Sequence, residues 1–356
     1  MPAKSVNLIF TDSTSSALAE VVEEMAPSAI FLRADANTAQ LIARPLLEST
    51  PALAGGQIIE IPAGDQSKNI DTLSALWQAL SDGGATRSSL LINVGGGMVT
   101  DLGGFAASTF KRGIRFINIP TTLLGAVDAA LGGKTGINFN GLKNEIGVFS
   151  HADAVIVSAR HFATLPYNEL TSGYAELLKH ALIDSPEALN RALAYDIERA
   201  DLDELQHLLR ESIAVKERIV AADPLEHGLR KALNLGHTAA HAFESLAMEQ
   251  GRAVAHGHAV AWGLIVDLIL SNMMLGLDSA TLHDVAIYIK EYFPRPQLSC
   301  ADYPRLIELM RHDKKNLTAS RINFTLLSAP GQIILDNEVT PEKITPALDI
   351  LRDLLC

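Results

Sequence analysis

Leu90-Leu91-Ile92-Asn93-Val94-Gly95-Gly96-Gly97-Met98-Val99-Thr100-Asp101-Leu102-Gly103-Gly104 is the stretch that decides the fold of this chain. A short apolar run rich in β-formers stops at three consecutive glycines, and the residues after them take up helical spacing. That sequence of events describes a buried strand turning into a crossover helix. Glycines at such a turn let an anion approach the free N–H groups at the helix start, although a tight strand-to-helix turn could use them as well. The usual dinucleotide fingerprint, Gly-x-Gly-x-x-Gly after a first strand, is not met, because Thr100 stands where its last glycine belongs and the turn follows the fourth strand of the pattern.

Outward from that turn, short runs at 6–10, 29–32, 57–61, 90–94, 116–119 and 154–157 alternate with amphipathic stretches, the pattern of a parallel sheet with crossover helices. Beyond Leu165 the spacing becomes helical, over 167–183, 202–222, 229–247 and 254–275. Pro294 and Pro296 mark a loop before another short helix, 321–327 with 331–335 can form a hairpin, and a closing helix starts at Pro341. The expected architecture is an α/β nucleotide-binding domain with a parallel sheet over 1–160, followed by a mainly α-helical domain over 161–356, with the active site in the cleft between them.

The chain has 356 residues, 29 basic and 41 acidic side chains, a net charge of −12 and 48% apolar residues. Its length suits about two domains. The negative balance argues against a nucleic-acid surface, which needs clustered Lys and Arg, yet a few local cations suffice for a small anion. The longest apolar run, 259–266, is ended by Asp267 far short of the roughly 20 residues of a membrane span. Residues 1–30 hold no basic start followed by an apolar stretch, so no secretory leader is expected. Cys300 and Cys356 form neither a disulfide framework nor a metal knuckle, and a reducing cytoplasm is the expected location.

Two further stretches carry chemistry. Pro120-Thr121-Thr122 leads through Asp128 to Gly132-Gly133-Lys134-Thr135-Gly136-Ile137-Asn138 and then Lys143-Asn144. Lys134 resembles a P-loop lysine, but Asp128 occupies the place of the first glycine, so what remains is a glycine-flanked cation beside hydroxyl and amide donors. Five of the eleven histidines fall between 227 and 258, and Glu176 lies in the helical stretch Ser172-Gly173-Tyr174-Ala175-Glu176-Leu177-Leu178-Lys179-His180. His237 and His241 share a helix face, whereas only one of His256 and His258 can point to the same site. A lone histidine is more often a packed or surface residue, but two imidazoles with one carboxylate make the ligand set of a catalytic zinc. Lys179, Lys216, Arg230 and Asn234 suit a substrate carrying carboxylate and phosphate, although helix cations usually only solvate a face.

Taken together, segments 95–105, 120–138, 142–147, 173–183 and 228–241, His256-Gly257 and Asp313-Lys314-Lys315 resemble the 3-dehydroquinate synthases of the sugar-phosphate cyclase superfamily in order and spacing. The likeness starts at Gly64-Asp65-Gln66-Ser67-Lys68 and spans nearly the whole chain. It implies an NAD- and metal-dependent carbon–oxygen lyase, with zinc or cobalt as the ion. Such an enzyme turns 3-deoxy-D-arabino-heptulosonate 7-phosphate into 3-dehydroquinate and phosphate on the shikimate route to aromatic amino acids. It further implies Glu176, His237 and His256 as metal ligands, and Asp35, Asp65, Lys68, Gly95, Gly96, Gly97, Asp101, Thr121, Thr122, Asp128 and Lys143 as NAD contacts. Lys134, Asn144, Lys179, Lys216, Arg230, Asn234, His241 and Lys314 or Lys315 are implied at the substrate, with Lys134 and His241 shuttling a hydroxyl proton. Arg112 is implied to reach the neighbouring subunit's phosphate pocket, hence a homodimer. His258 stands where many members carry Glu, and Asp65 replaces a more frequent Glu. The rival readings are another NAD- and metal-dependent sugar-phosphate cyclase whose substrate lacks the carboxylate, a metal-dependent polyol dehydrogenase that releases NADH, and a non-catalytic NAD-binding regulator.

Overall fold

The structure, a computed structural model, describes residues 6–140, 142–224, 226–311 and 322–355. The chain divides into two units, Met1–Leu165 and Pro166–Cys356. In the first unit the strands are β1 (Asn7–Phe10), β2 (Ile30–Asp35), β3 (Gln57–Ile61), β4 (Leu90–Gly95), β5 (Arg115–Pro120), β6 (Lys134–Phe139), β7 (Leu142–Phe149) and β8 (Ala154–Val157). Its helices are α1 (Thr14–Met25), α2 (Ala36–Thr38), α3 (Arg44–Ser49), α4 (Ile70–Asp82) and α5 (Gly97–Thr109). Six strands form one parallel sheet in the order β1-β8-β5-β4-β2-β3. Every residue of β4 is buried, as expected for a central parallel strand covered on both faces. Leu90, Ile92, Val94, Ile117, Ile119 and Ile156 pack with Leu18, Val21 and Val22 of α1. Chain direction across the sheet reverses between β2 and β4, and a ligand crevice belongs at the carboxyl ends of such strands.

The sequence reading places the second domain at 161, but the turn Ala159–Thr164 goes with the first unit, where Thr14 Oγ1 and His161 Nε2 are 2.9 Å apart. The glycine-rich stretch around Lys134 is not only a loop: β6 and β7 form an antiparallel hairpin that the sequence does not announce. All eight residues of β7 are exposed, so no alternation marks it, and a Cβ on Gly147 would run into the carbonyl of Thr135 across the ladder.

The second unit contains α6 (Tyr167–Asp184), α7 (Pro186–Ala194), α8 (Leu202–Ala222), α9 (His237–Glu249), α10 (His256–Leu275), α11 (Ser279–Tyr292), α12 (Tyr303–Arg311) and α13 (Pro341–Leu355). It also holds the antiparallel hairpin β9 (Ile322–Ala329) and β10 (Gln332–Val339). The expected helix over 229–247 is broken: Leu229–Asn234 is a 3-10 turn and α9 starts only after Gly236, whose φ is +79°. A side chain at Gly236 would be strained by that backbone and would crowd Leu264 at 3.0 Å. The Gly236 N–H donates to Asp267 Oδ2 at 2.6 Å, which fixes this bend against α10. Among the described residues α10 alone is long and apolar enough to cross a membrane, and it is mostly buried as the central helix of its unit.

Candidate active site

Residues Leu170 to Ile183 of α6 are buried without interruption, so a carboxylate there must be paired to stay charged. Glu176 is paired three times: it forms an ion pair with Lys179 one turn on, and its Oε1 lies 3.5 Å from His237 Nε2 and 3.6 Å from His256 Nε2. One donor atom from each of Glu176, His237 and His256 falls within 4.8 Å of the others. Burial pushes the Glu176 carboxyl up, but Lys179 and the two imidazoles outweigh it and hold it well below the usual range.

The tautomers follow from the far side of each ring. His237 Nδ1 is 3.1 Å from the Leu235 carbonyl, which can only accept, so Nδ1 carries the proton and Nε2 turns a lone pair to the cluster. His256 Nδ1 donates to Glu244 Oε2 at 3.2 Å and likewise leaves Nε2 facing Glu176. Such outer partners orient metal-binding imidazoles, and Glu176, His237 and His256 fit a divalent ion. Burial lowers the His256 pKa, but Glu176 and Glu244 outweigh it and raise it to about 10, so an ion would displace a proton there.

Of the two imidazoles two residues apart, His258 turns away. Its Nε2 lies 2.9 Å from Thr171 Oγ1 on α6, and burial pushes its pKa down. Between them the Gly257 N–H donates to Ser172 Oγ at 3.1 Å, and a Cβ on Gly257 would strike the Ser172 carbonyl. This close approach sets which face of α10 meets α6. His241, one turn after His237, joins the group with ring centroids 5.6 Å from His237 and 6.4 Å from His256.

Lys216 is buried on α8, and Arg230 is buried in the Leu229–Asn234 turn, which packs against both α6 and α8. The Arg230 guanidinium donates through NH1 to the Pro224 carbonyl at 2.8 Å, and its backbone N–H donates to Asp223 Oδ2 at 3.1 Å. Asp223 also accepts from the Gly228 N–H at 2.7 Å, and these backbone donors hold its carboxyl below the usual range. Asn234 Nδ2 donates to Glu226 Oε1 at 3.1 Å. Lys314 and Lys315 lie outside the described residues.

In the first unit the carboxyl ends of β2, β4 and β5 bring Asp35, Gly95, Gly96, Gly97, Thr121 and Thr122 to one edge of the sheet. Asp35 caps α2, accepting from the Thr38 N–H at 2.9 Å, while Thr38 Oγ1 donates to the Val94 carbonyl at 2.9 Å. The glycines are needed for packing: a Cβ would lie 2.5 Å from Val99 at Gly95, 3.0 Å from Thr122 at Gly96 and 3.1 Å from Ala129 at Gly97. Thr121 Oγ1 is buried there without a hydrogen-bond partner. This edge, with the amides of the first turn of α5, fits the phosphates of a dinucleotide.

A second group gathers around Lys68, which is buried and bonded both to Asp101 Oδ2, at 2.6 Å, and to Asn144 Oδ1. Asn138 ties β6 to the same turn, donating to Asp65 Oδ2 at 3.1 Å and accepting from the Asn144 N–H at 2.9 Å. Asn144 therefore lies with residues read as NAD contacts rather than apart from them. Asp128 sits on the turn Gly125–Ala129, Lys134 opens β6, and Lys143 is exposed on β7. Arg112 is not brought to either group, since it lies beyond the far end of the 13-residue helix α5, about 20 Å along its axis from the glycine turn.

Sequence reading missed Glu244, Asp267 and Arg33. Glu244 is seven residues after His237, a spacing that returns to the same helix face and could have marked it. Asp267 is the one carboxylate in the long apolar helix α10, and Arg33 is the one basic residue of β2, a strand that ends on Asp35.

The family model of the 3-dehydroquinate synthase N-terminal domain matches residues 58–172, and that of the C-terminal domain matches 173–316. A 3-dehydroquinate synthase of Parabacteroides distasonis is 47% identical over 97% of this chain and 98% of its own. Among solved structures, 2-epi-5-epi-valiolone synthase from Streptomyces hygroscopicus with NAD+ and Zn2+ bound is 25% identical, with a TM-score of 0.86 over 99% of this chain and 98% of that one. A 2-deoxy-scyllo-inosose synthase complexed with carbaglucose-6-phosphate, NAD+ and Co2+ is 24% identical, with a TM-score of 0.84 over 99% and 97%, a likeness of fold. With both halves of the family pattern present in order and a relative matched over almost all of both chains, the chain belongs to the 3-dehydroquinate synthase family.

Proposed function

We propose that this protein converts 3-deoxy-D-arabino-heptulosonate 7-phosphate to 3-dehydroquinate and phosphate, as a carbon–oxygen lyase that uses NAD catalytically and holds one divalent ion, zinc or cobalt. The observation that carries this reading is the buried Glu176 carboxylate with Nε2 of His237 and of His256 turned toward it, in a chain whose relatives are 3-dehydroquinate synthases. Related structures that hold NAD+ with Zn2+ or Co2+ support the cofactor pair. Bound there, the ion would polarise a substrate oxygen while NAD supplies the reversible oxidation that acidifies a neighbouring C–H and lets phosphate leave.

The chain's own residues divide the remaining work. Leu235 and Glu244 hold the two imidazoles in one tautomer, and Lys179 fixes the Glu176 carboxylate. His241 is suited to take a hydroxyl proton, with Lys134 as its partner in the proton path. Lys216, Arg230 and Asn234 recognise the substrate carboxylate, for which a desolvated guanidinium and ammonium are the strong donors. Asn144, Arg112 of a neighbouring copy, and Lys314 or Lys315 hold the departing phosphate. Asp35, Asp65, Lys68, Gly95, Gly96, Gly97, Asp101, Thr121, Thr122, Asp128 and Lys143 bind NAD. The working form is a cytoplasmic homodimer on the shikimate route, and the exposed apolar side chains Leu142, Ile146 and Phe149 of β7 support self-association.

The test is an assay of purified protein with the heptulosonate phosphate, NAD and zinc, following phosphate and NADH. Phosphate release that needs catalytic NAD, stops on chelation and accumulates no NADH is expected. Stoichiometric NADH would move the protein to the dehydrogenases. Turnover of a phosphosugar lacking the carboxylate, in place of the heptulosonate, would move it to the other cyclases.

A further inference from the structure

Arg33 lies in the middle of β2 and is among the largest side chains that are wholly buried. Its NH1 donates to the carbonyl of Val99 in the first turn of α5, its NH2 is 4.0 Å from Met98 Sδ, and its Nε has no partner. Among the described residues no carboxylate is within ion-pair distance of it; Asp35 and Asp101 act on it only through space. Room for the guanidinium is made by Gly103, one turn beyond Val99, where a Cβ would lie 2.7 Å from Arg33 NH1 and would overlap Asn93.

A buried cation without a carboxylate is costly. Here the cost is compounded, because the charge sits beneath the start of a helix, whose amides carry positive potential of the same sign. Two positive sources thus converge on the glycine turn from the protein side, and Asp35 and Asp101 answer the guanidinium only through space, with no direct ion pair. A plug needed only to fill space would be met more cheaply by Met or Leu.

We propose that Arg33 is a positioning residue for a dinucleotide pyrophosphate at the Gly95–Gly97 turn: it holds the first turn of α5 through Val99 and places a full positive charge under the bound phosphates without touching them. This rests on the NAD reading above and adds to it a residue on the far side of the turn. A unit charge acting through protein on another several ångströms away is worth about a tenfold change in affinity.

The experiment measures Kd for NADH by fluorescence, and for ADP and adenosine by displacement, on wild type, Arg33→Met and Arg33→Lys. Arg33→Met is expected to weaken NADH and ADP about tenfold and leave adenosine unchanged, while Arg33→Lys stays within about threefold of wild type for all three. Equal weakening of adenosine and ADP overturns the proposal in favour of a packing role, and unchanged NADH affinity in Arg33→Met overturns it outright. If Arg33→Met does not fold, Arg33→Lys decides: a retained preference for ADP over adenosine supports the charge, and its loss refutes it. Wild-type protein that binds no NADH defeats the cofactor reading itself, whereas binding indifferent to Arg33 defeats only this role.

Discussion

Glu176→Gln isolates what the buried carboxylate does before any ion is bound. In the chelated protein it forms an ion pair with Lys179, and both side chains are sealed from water. His256, held near pKa 10 without a metal, adds a second cation against the other oxygen of the same carboxylate. Replacing the carboxylate by an amide of equal size leaves packing intact and strands the Lys179 ammonium. Breaking one side of a buried pair costs about 3–5 kcal/mol. At ~2–4 °C per kcal/mol for a unit of this size, the melting transition of the Pro166–Cys356 unit should fall by ~6–20 °C. Calorimetry of the chelated protein reads this, with metal analysis of the untreated variant showing loss of zinc. Adding Lys179→Met to Glu176→Gln removes the stranded charge and should recover most of the lost melting temperature. A fall of less than ~3 °C, or a double variant no better than the single one, refutes the reasoning.

Arg230→Lys should lower kcat/KM for the carboxylate substrate by one to two orders of magnitude, about 1.5–3 kcal/mol, because an ammonium cannot reproduce the guanidinium fork; zinc and NAD binding stay as in wild type, and near-wild-type kinetics would remove Arg230 from the substrate site. Burial pulls His161 down to about 4, so between that value and about 6.5 the unfolded chain binds a proton that the folded first unit refuses. Stability of that unit should therefore rise with pH across this window by roughly 3 kcal/mol and level off above it. Urea midpoints from pH 4.5 to 7.5 should show the slope in wild type and its loss in His161→Gln, and equal slopes would count against it. Gly257→Ala should push the start of α10 away from Ser172 and weaken zinc by about 10–100-fold in chelator competition; unchanged affinity would show that α10 tolerates the side chain.

The six sheet strands were legible because buried parallel strands are continuous apolar runs, as in Leu91-Ile92 and Phe116-Ile117. The β6–β7 hairpin was not, since β7 faces water on both sides and has no hydrophobic period to read. Composition favoured a single helix across 229–247, but one glycine with positive φ, held by Asp267 from another helix, ends it. In the candidate site, helical spacing put His237 and His241 on one face but left His256 and His258 open. That choice depends on Thr171 and Ser172, some 85 residues earlier in the chain, and no local pattern carries such information. Arg33 was hidden for the same reason: its partner is a backbone carbonyl 66 residues away.

His237 and His256 are the first residues of α9 and α10. The opening turns of helices are where amides lack intrahelical partners and where fraying begins. An ion gripping both imidazoles would therefore act as a clasp on two loose ends while its third grip, Glu176, lies in the interior of α6. Occupancy would be felt first as slowed hydrogen exchange in the opening turns of α9 and α10, with α6 little changed. By mass action it would also set how often the Leu229–Asn234 turn, one bend upstream of α9, is in place to meet an anion.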